Sequence, residues 1–139
     1  MSYDFIIRIL AAAVIGGVIG LEREYRAKEA GFRTHFLVAL GSALFTVVSQ
    51  FGFEQTDGGT SHISLDPSRV ASQVVTGIGF IGAGIIIFQK HAVRGLTTAA
   101  GLWVTSAIGL ACGSGLYFLA FITMILVLIC LEVLYFIVR

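Results

Sequence analysis

The chain has 139 residues, nine Lys or Arg against eight Asp or Glu, and a formal net charge of +1. Charged residues make up 12% and apolar residues 57%, with a mean hydropathy of +0.94. So balanced a charge gives no electrostatic footing for nucleic acid, and a water-soluble domain carries about twice as many charges. In lipid, backbone polar groups must be satisfied internally, which only helices and closed barrels achieve. The apolar runs are long and do not alternate as barrel strands would. The sequence therefore predicts an all-α integral membrane protein: one transmembrane domain over 1–139, a bundle of about five helices.

A helix needs about 20 apolar residues to cross the hydrocarbon core. Five runs qualify: Phe5–Leu21, Phe36–Phe53, Ser68–Phe88, Leu96–Gly113 and Tyr117–Val138. Asp4 precedes the first run and no basic stretch does, so it reads as a retained span and not as a cleaved signal. The loop after it carries Arg23, Arg26, Lys28 and Arg33, and the third loop carries Lys90 and Arg94. The second loop carries Glu54, Asp57 and Asp66 but no Lys or Arg. Basic loops stay cytoplasmic, so the expected topology is N-terminus outside and C-terminus inside. Asp66 is expected to cap the third helix, with Pro67 at its first position.

Helices in lipid associate through small residues. The first span offers Ala12, Gly16 and Gly20 at four-residue spacing. The third offers Gly77, Gly79, Gly82, Ala83 and Gly84, which serve packing or a kink. The fourth offers Thr97, Gly101, Thr105, Gly109 and Gly113. Trp103 lies mid-span and is expected between helices. Gly20, Gly31, Thr34, Ser42 and Ala43 align with Gly84, Gly95, Thr98, Ser106 and Ala107 at one constant offset, a faint internal repeat.

Ionisable groups at membrane depth are costly and mark candidate sites. On the outer side Arg8, Asp66, Arg69 and Gln73 form one candidate cluster, either a polar entrance or two arginines reaching the headgroups. On the inner side stand Glu22, Arg23, Arg33, His35, Arg94, Thr97 and Thr98, either a site or an ordinary basic anchor. Glu132 reads as an acid reaching out from the end of the last span. Cys112 and Cys130 read as apolar packing residues. No His, Cys or carboxylate spacing suits a metal, and no nucleophile motif is present, so neither an enzyme nor a cofactor is expected. The Gly77-Ile78-Gly79-Phe80-Ile81-Gly82 pattern fits a dinucleotide loop only in letters, since no strand precedes it.

Four stretches, taken together, resemble the MgtC/SapB family of bacterial inner-membrane proteins. They are Gly20–Glu24, Gly31–His35, Asp66–Ala71 followed by Gly77–Gly84, and Arg94–Trp103. The resemblance implies a multi-pass protein of the cytoplasmic membrane, linked to low-magnesium and stress adaptation. Its partners would be the lipid bilayer, further copies of itself as a homo-oligomer, and other membrane proteins that it modulates. Any link to Mg2+ comes from this resemblance alone. Better-known members carry a soluble domain after the last span, whereas this chain ends at Arg139, as a short form would. The alternative role is an ion or small-solute transporter in its own right.

Overall fold

A computed structural model describes residues 2–52, 66–89 and 92–138. Helix α1 runs Ser2–Tyr25 and α2 runs Phe32–Phe51. Helix α3, Arg69–Ile85, leads into a hairpin of β1, Ile87–Gln89, and β2, Ala92–Arg94. Helix α4 is Leu96–Gly113. The last rod comprises α5, Tyr117–Leu128, a π-helical turn at Ile129–Val133, and α6, Leu134–Val138. Among the described residues four helical segments are long and apolar enough to cross a membrane: Tyr3–Tyr25, Phe32–Phe51, Leu96–Gly113 and Tyr117–Ile137. The apolar α3 has only 17 residues.

The expected bounds shift where polar side chains extend or stop a helix. Helix α1 outruns Phe5–Leu21 at both ends, because Asp4 in its first turn and Arg23 in its last complement the helix dipole. Helix α2 starts at Phe32 and not Phe36, because the Glu24 carboxylate accepts the Phe32 N–H at 3.0 Å. Helix α3 starts one residue after Ser68. Asp66 does not cap its first turn but accepts from Ser68 N and Oγ, at 3.0 and 2.7 Å. Pro67 accordingly lies in the turn before the helix.

The first turn of α3 is capped from another helix. Ser49 Oγ, on α2, accepts from Val70 N at 3.2 Å and Ala71 N at 3.4 Å, and donates to the Pro67 carbonyl. A cap of this kind contributes about 1 kcal/mol. Ser49→Ala should therefore lower stability by about that amount, and should speed amide exchange at Val70 and Ala71 before exchange in α4. Unchanged protection at those two amides would refute the cap.

The third apolar run is helical only as far as Ile85, short of Phe88, because the hairpin takes over. Its antiparallel register sets Ile87 opposite Arg94 and Phe88 opposite Val93. An apolar run continuing past the helix concealed these strands in the sequence. Gly95 closes the hairpin at φ +89°, where a Cβ would lie 2.5 Å from the Ile85 carbonyl oxygen. The left-handed backbone and the crowding both demand glycine there.

The core lies where α2 packs between α1 and α4. A Cβ on Gly16 would stand 2.5 Å from Ala39 Cβ, and one on Gly20 would stand 2.7 Å from Phe32 Cα. Toward α4, a Cβ on Gly109 would reach the Ala39 carbonyl oxygen at 2.5 Å, and one on Gly113 the Ala43 oxygen at 2.7 Å. The helices thus meet backbone to backbone, as small-residue packing in lipid allows. Ala12, Ile19, Ala39, Ala43, Ile108 and Cys112 fill the seam. The hydroxyls buried there are satisfied locally: Thr46 donates to the Ser42 carbonyl and Thr105 to that of Gly101.

Other glycines do not pack in this way. A Cβ on Gly77, Gly79, Gly84 or Gly101 would meet nothing within 4 Å, and one on Gly82 only touches Ala99 at 3.6 Å. The α4 stripe therefore packs through Thr105, Gly109 and Gly113, while Thr97 and Gly101 do not contribute to the seam. Helix α3 continues through its glycines as one α-helical segment.

Trp103 is not held between helices. It is 56% exposed, because it lies about 200° around α4 from both Gly101 and Thr105. Lipids brominated along their acyl chains should therefore quench the fluorescence of this sole tryptophan. An interior indole would escape them.

Candidate functional site: the two polar ends of the bundle

Long-range polar contacts fix which helix ends lie together. Arg8, near the start of α1, donates from Nη1 to the Gly113 carbonyl at the end of α4, at 2.8 Å. Gln50, near the end of α2, donates to Ser114 Oγ at 3.0 Å, and Ser49 holds the start of α3. At the opposite end the segment after α1 meets the start of α4 and the end of the last rod. The helices therefore run back and forth between two polar ends.

The first end holds Arg8, Asp66, Arg69 and Gln73 but does not gather them. Arg8 pairs with Asp4 one turn earlier at 2.9 Å, and its guanidinium lies 5.1 Å from the Phe51 ring centre and 5.9 Å from that of Phe5. Asp4 and the Gly113 carbonyl engage the Arg8 guanidinium, and Asp66 is not among its partners within the described residues. Asp66, Arg69 and Gln73 stand exposed at the start of α3. The Ser68 hydroxyl and N–H hold the Asp66 carboxyl below its usual range, with Arg69 adding a smaller effect.

The second end is a connected network. Arg23 is only 4% exposed and grips Glu22 with both arms of its fork, Nε to Oε1 at 2.6 Å and Nη2 to Oε2 at 3.1 Å. Arg26 grips Glu132 in the same way, at 2.9 and 2.7 Å, and stands 3.9 Å from Glu22. Such two-pronged Arg–carboxylate pairs are the stronger charge-assisted bonds. The Glu132 bond pushes the Arg26 guanidinium further up. Glu132 is thus no acid reaching into solvent but the link that ties the last rod to the α1–α2 connection. Tyr135 and Phe136 stack beside Arg26, with ring centres 5.5 and 5.3 Å away.

Next to this network Glu29 accepts from Thr98 Oγ1 at 2.8 Å. That bond is the main reason the Glu29 carboxyl is held below its usual range, and Arg94 and Lys28 add to it. A cavity of about 630 Å³ opens here, lined by Arg23, Arg94, Thr97 and Thr98 together with Lys28 and Glu29. His35 is fully buried on α2, bonded through Nδ1 to the Gly31 carbonyl at 2.9 Å, and its Nε2 has no partner among the described residues. Arg33 is exposed and makes no hydrogen bond among those residues.

Of the residues expected on the inner side, the structure brings Arg23, Arg94, Thr97 and Thr98 around one cavity, with Glu22 just behind Arg23. His35 and Arg33 lie outside it. Sequence reasoning placed Arg26, Lys28 and Glu132 at this end without their contacts, and missed Glu29. Their partners are up to 106 residues away, and no local spacing signals such a contact. Among the described residues no three His, Cys, Asp or Glu side chains come together as metal ligands.

A bundle with an apolar exterior, a backbone-tight glycine seam and charges confined to its two ends is a helical membrane protein. The comparisons make the class specific. The chain belongs to the MgtC family, whose model matches residues 9–139. It is 52% identical over 133 residues to an Escherichia coli K12 protein named "Putative magnesium transporter YhiD", covering 96% of this chain and 61% of that protein. It is 48% identical over 108 residues to "Protein MgtC" of Brucella abortus, covering 78% and 42%. An uncharacterized Haemophilus influenzae protein is 41% identical over 126 residues, covering 90% and 53%. The chain thus spans less than two thirds of the length of these relatives. No solved structure matches it.

Proposed function

We propose that the chain is a membrane domain of the bacterial inner membrane that serves magnesium or ion homeostasis as a modulator or accessory of membrane transport. It has no catalytic step of its own. In this reading all five helices span, the N-terminus lies outside, and copies associate with one another and with the membrane proteins they act upon. The names of the Escherichia coli and Brucella relatives support the magnesium link. The observation that carries the modulator role is the state of the carboxylates. Magnesium needs carboxylate oxygens and retained waters, yet Glu22 and Glu132 are each occupied by an arginine fork.

The competing reading, transport by the chain itself, draws on the name of the Escherichia coli relative. Reconstitution in liposomes loaded with a magnesium-sensitive dye separates the two. Modulation predicts no flux above that of empty liposomes, and a membrane protein crosslinked to the chain in cells. Magnesium flux that falls with Glu22→Ala would overturn modulation in favour of transport.

A further inference from the structure

The cavity at the Arg26–Glu132 end has one cationic wall and one apolar wall. Arg23, Lys28 and Arg94 supply the positive side, and Thr97 adds a hydroxyl. Arg23 is nine-tenths buried yet incompletely used: Nε and Nη2 bond Glu22, while Nη1 has no partner among the described residues. The first turn of α4 also faces this space. Its N-cap Gly95 brings no side-chain cap, and Ala99 is the first residue whose N–H bonds back to it, so the amides of Leu96, Thr97 and Thr98 have no backbone acceptor among the described residues. Opposite these donors stand Cys130, Leu131 and Leu134 from the end of the last rod.

We propose that this cavity holds the phosphate of an anionic phospholipid, with Lys28, Arg94 and the free Arg23 nitrogen against the headgroup and an acyl chain along Leu131 and Leu134. Basic pockets between transmembrane helices are suited to anionic headgroups, and free amides at a helix start favour an anion. The apolar wall favours a lipid over a free phosphate. Glu29 is the one acid in the lining among the described residues and opposes the ligand, so its charge tunes affinity downward. The inference goes beyond the proposed role and holds for a modulator or a transporter alike.

The test uses the whole chain in an uncharged detergent. Binding is read as the rise in unfolding temperature on titration with phosphatidylglycerol, phosphatidylcholine or inorganic phosphate. Phosphatidylglycerol should stabilise at far lower concentration than phosphatidylcholine. The double variant Lys28→Ala/Arg94→Ala changes two exposed side chains, so it should keep its unliganded unfolding temperature while binding weakens roughly thirtyfold. Glu29→Gln should tighten binding. Inorganic phosphate acting as strongly as phosphatidylglycerol would overturn the lipid assignment in favour of a soluble anion. Equal affinity for the two lipids, or no loss in the double variant, would overturn the site.

Discussion

Gly109→Leu should unfold the bundle or leave it unable to accumulate in the membrane. The first carbon of any side chain at 109 would lie 2.5 Å from the Ala39 carbonyl oxygen and 2.6 Å from Ser42 Cβ. Neither is the free end of a flexible chain, so α2 and α4 must separate. Separation would also strip the contact of α2 with α1, because one helix carries both seams. Overpacking a tight core typically costs about 1–3 kcal/mol, and displacement of a whole helix places this variant at or above the top of that range. Gly101→Leu is the matched control: its Cβ would meet nothing within 4 Å, so its effect should stay within about 0.5 kcal/mol. The two are compared by thermal unfolding in detergent and by yield from membranes. Similar midpoints would mean that the α2–α4 crossing is not where stability resides.

Removing Glu22 should have the next largest effect. Glu22→Ala leaves Arg23, 4% exposed, with an uncompensated charge inside the bundle. Breaking a buried pair by deleting one partner costs about 3–5 kcal/mol, whereas replacing both partners by apolar groups is often near neutral. The single variant should therefore lose about 3 kcal/mol or more. The double variant Glu22→Leu/Arg23→Leu should recover most of that loss. The measurement is a double-mutant cycle on unfolding midpoints. A double variant as unstable as Glu22→Ala would show that the Arg23 charge is not what the deletion exposes.

What could be read from the sequence follows the range of the forces involved. Helix α4 was legible to the residue, since the same glycines that punctuate its sequence bound it: Gly95 opens it and Gly113 ends it. The packing roles of Gly16, Gly20 and Gly109 were legible because four-residue spacing places small residues on one helix face. That spacing does not say whether a neighbour stands opposite, and within the described chain none stands within 4 Å of a Cβ at Gly77, Gly79, Gly84 or Gly101. The outer cluster failed on competition: Asp4 sits one turn from Arg8 on the same helix, and a local pair forms at less entropic cost than a distant one. The Arg26–Glu132 pair was invisible because it joins opposite ends of the chain. Even the faint internal repeat has a structural echo, with Gly31 and Gly95 both standing at helix N-caps.

The brevity of α3 has a consequence for the surrounding lipid. Its 17 residues rise about 26 Å, whereas the 24 residues of α1 rise about 36 Å. A hydrocarbon core is about 30 Å thick. In the proposed reading, where α3 also spans, the perimeter is uneven, taller than the membrane on one flank and lower on the other. Acyl chains bordering α3 must shorten or splay, and that deformation disappears when a second low-walled surface lies alongside. Membrane thickness thus becomes a variable that sets what this flank keeps as a neighbour, independent of any specific contact.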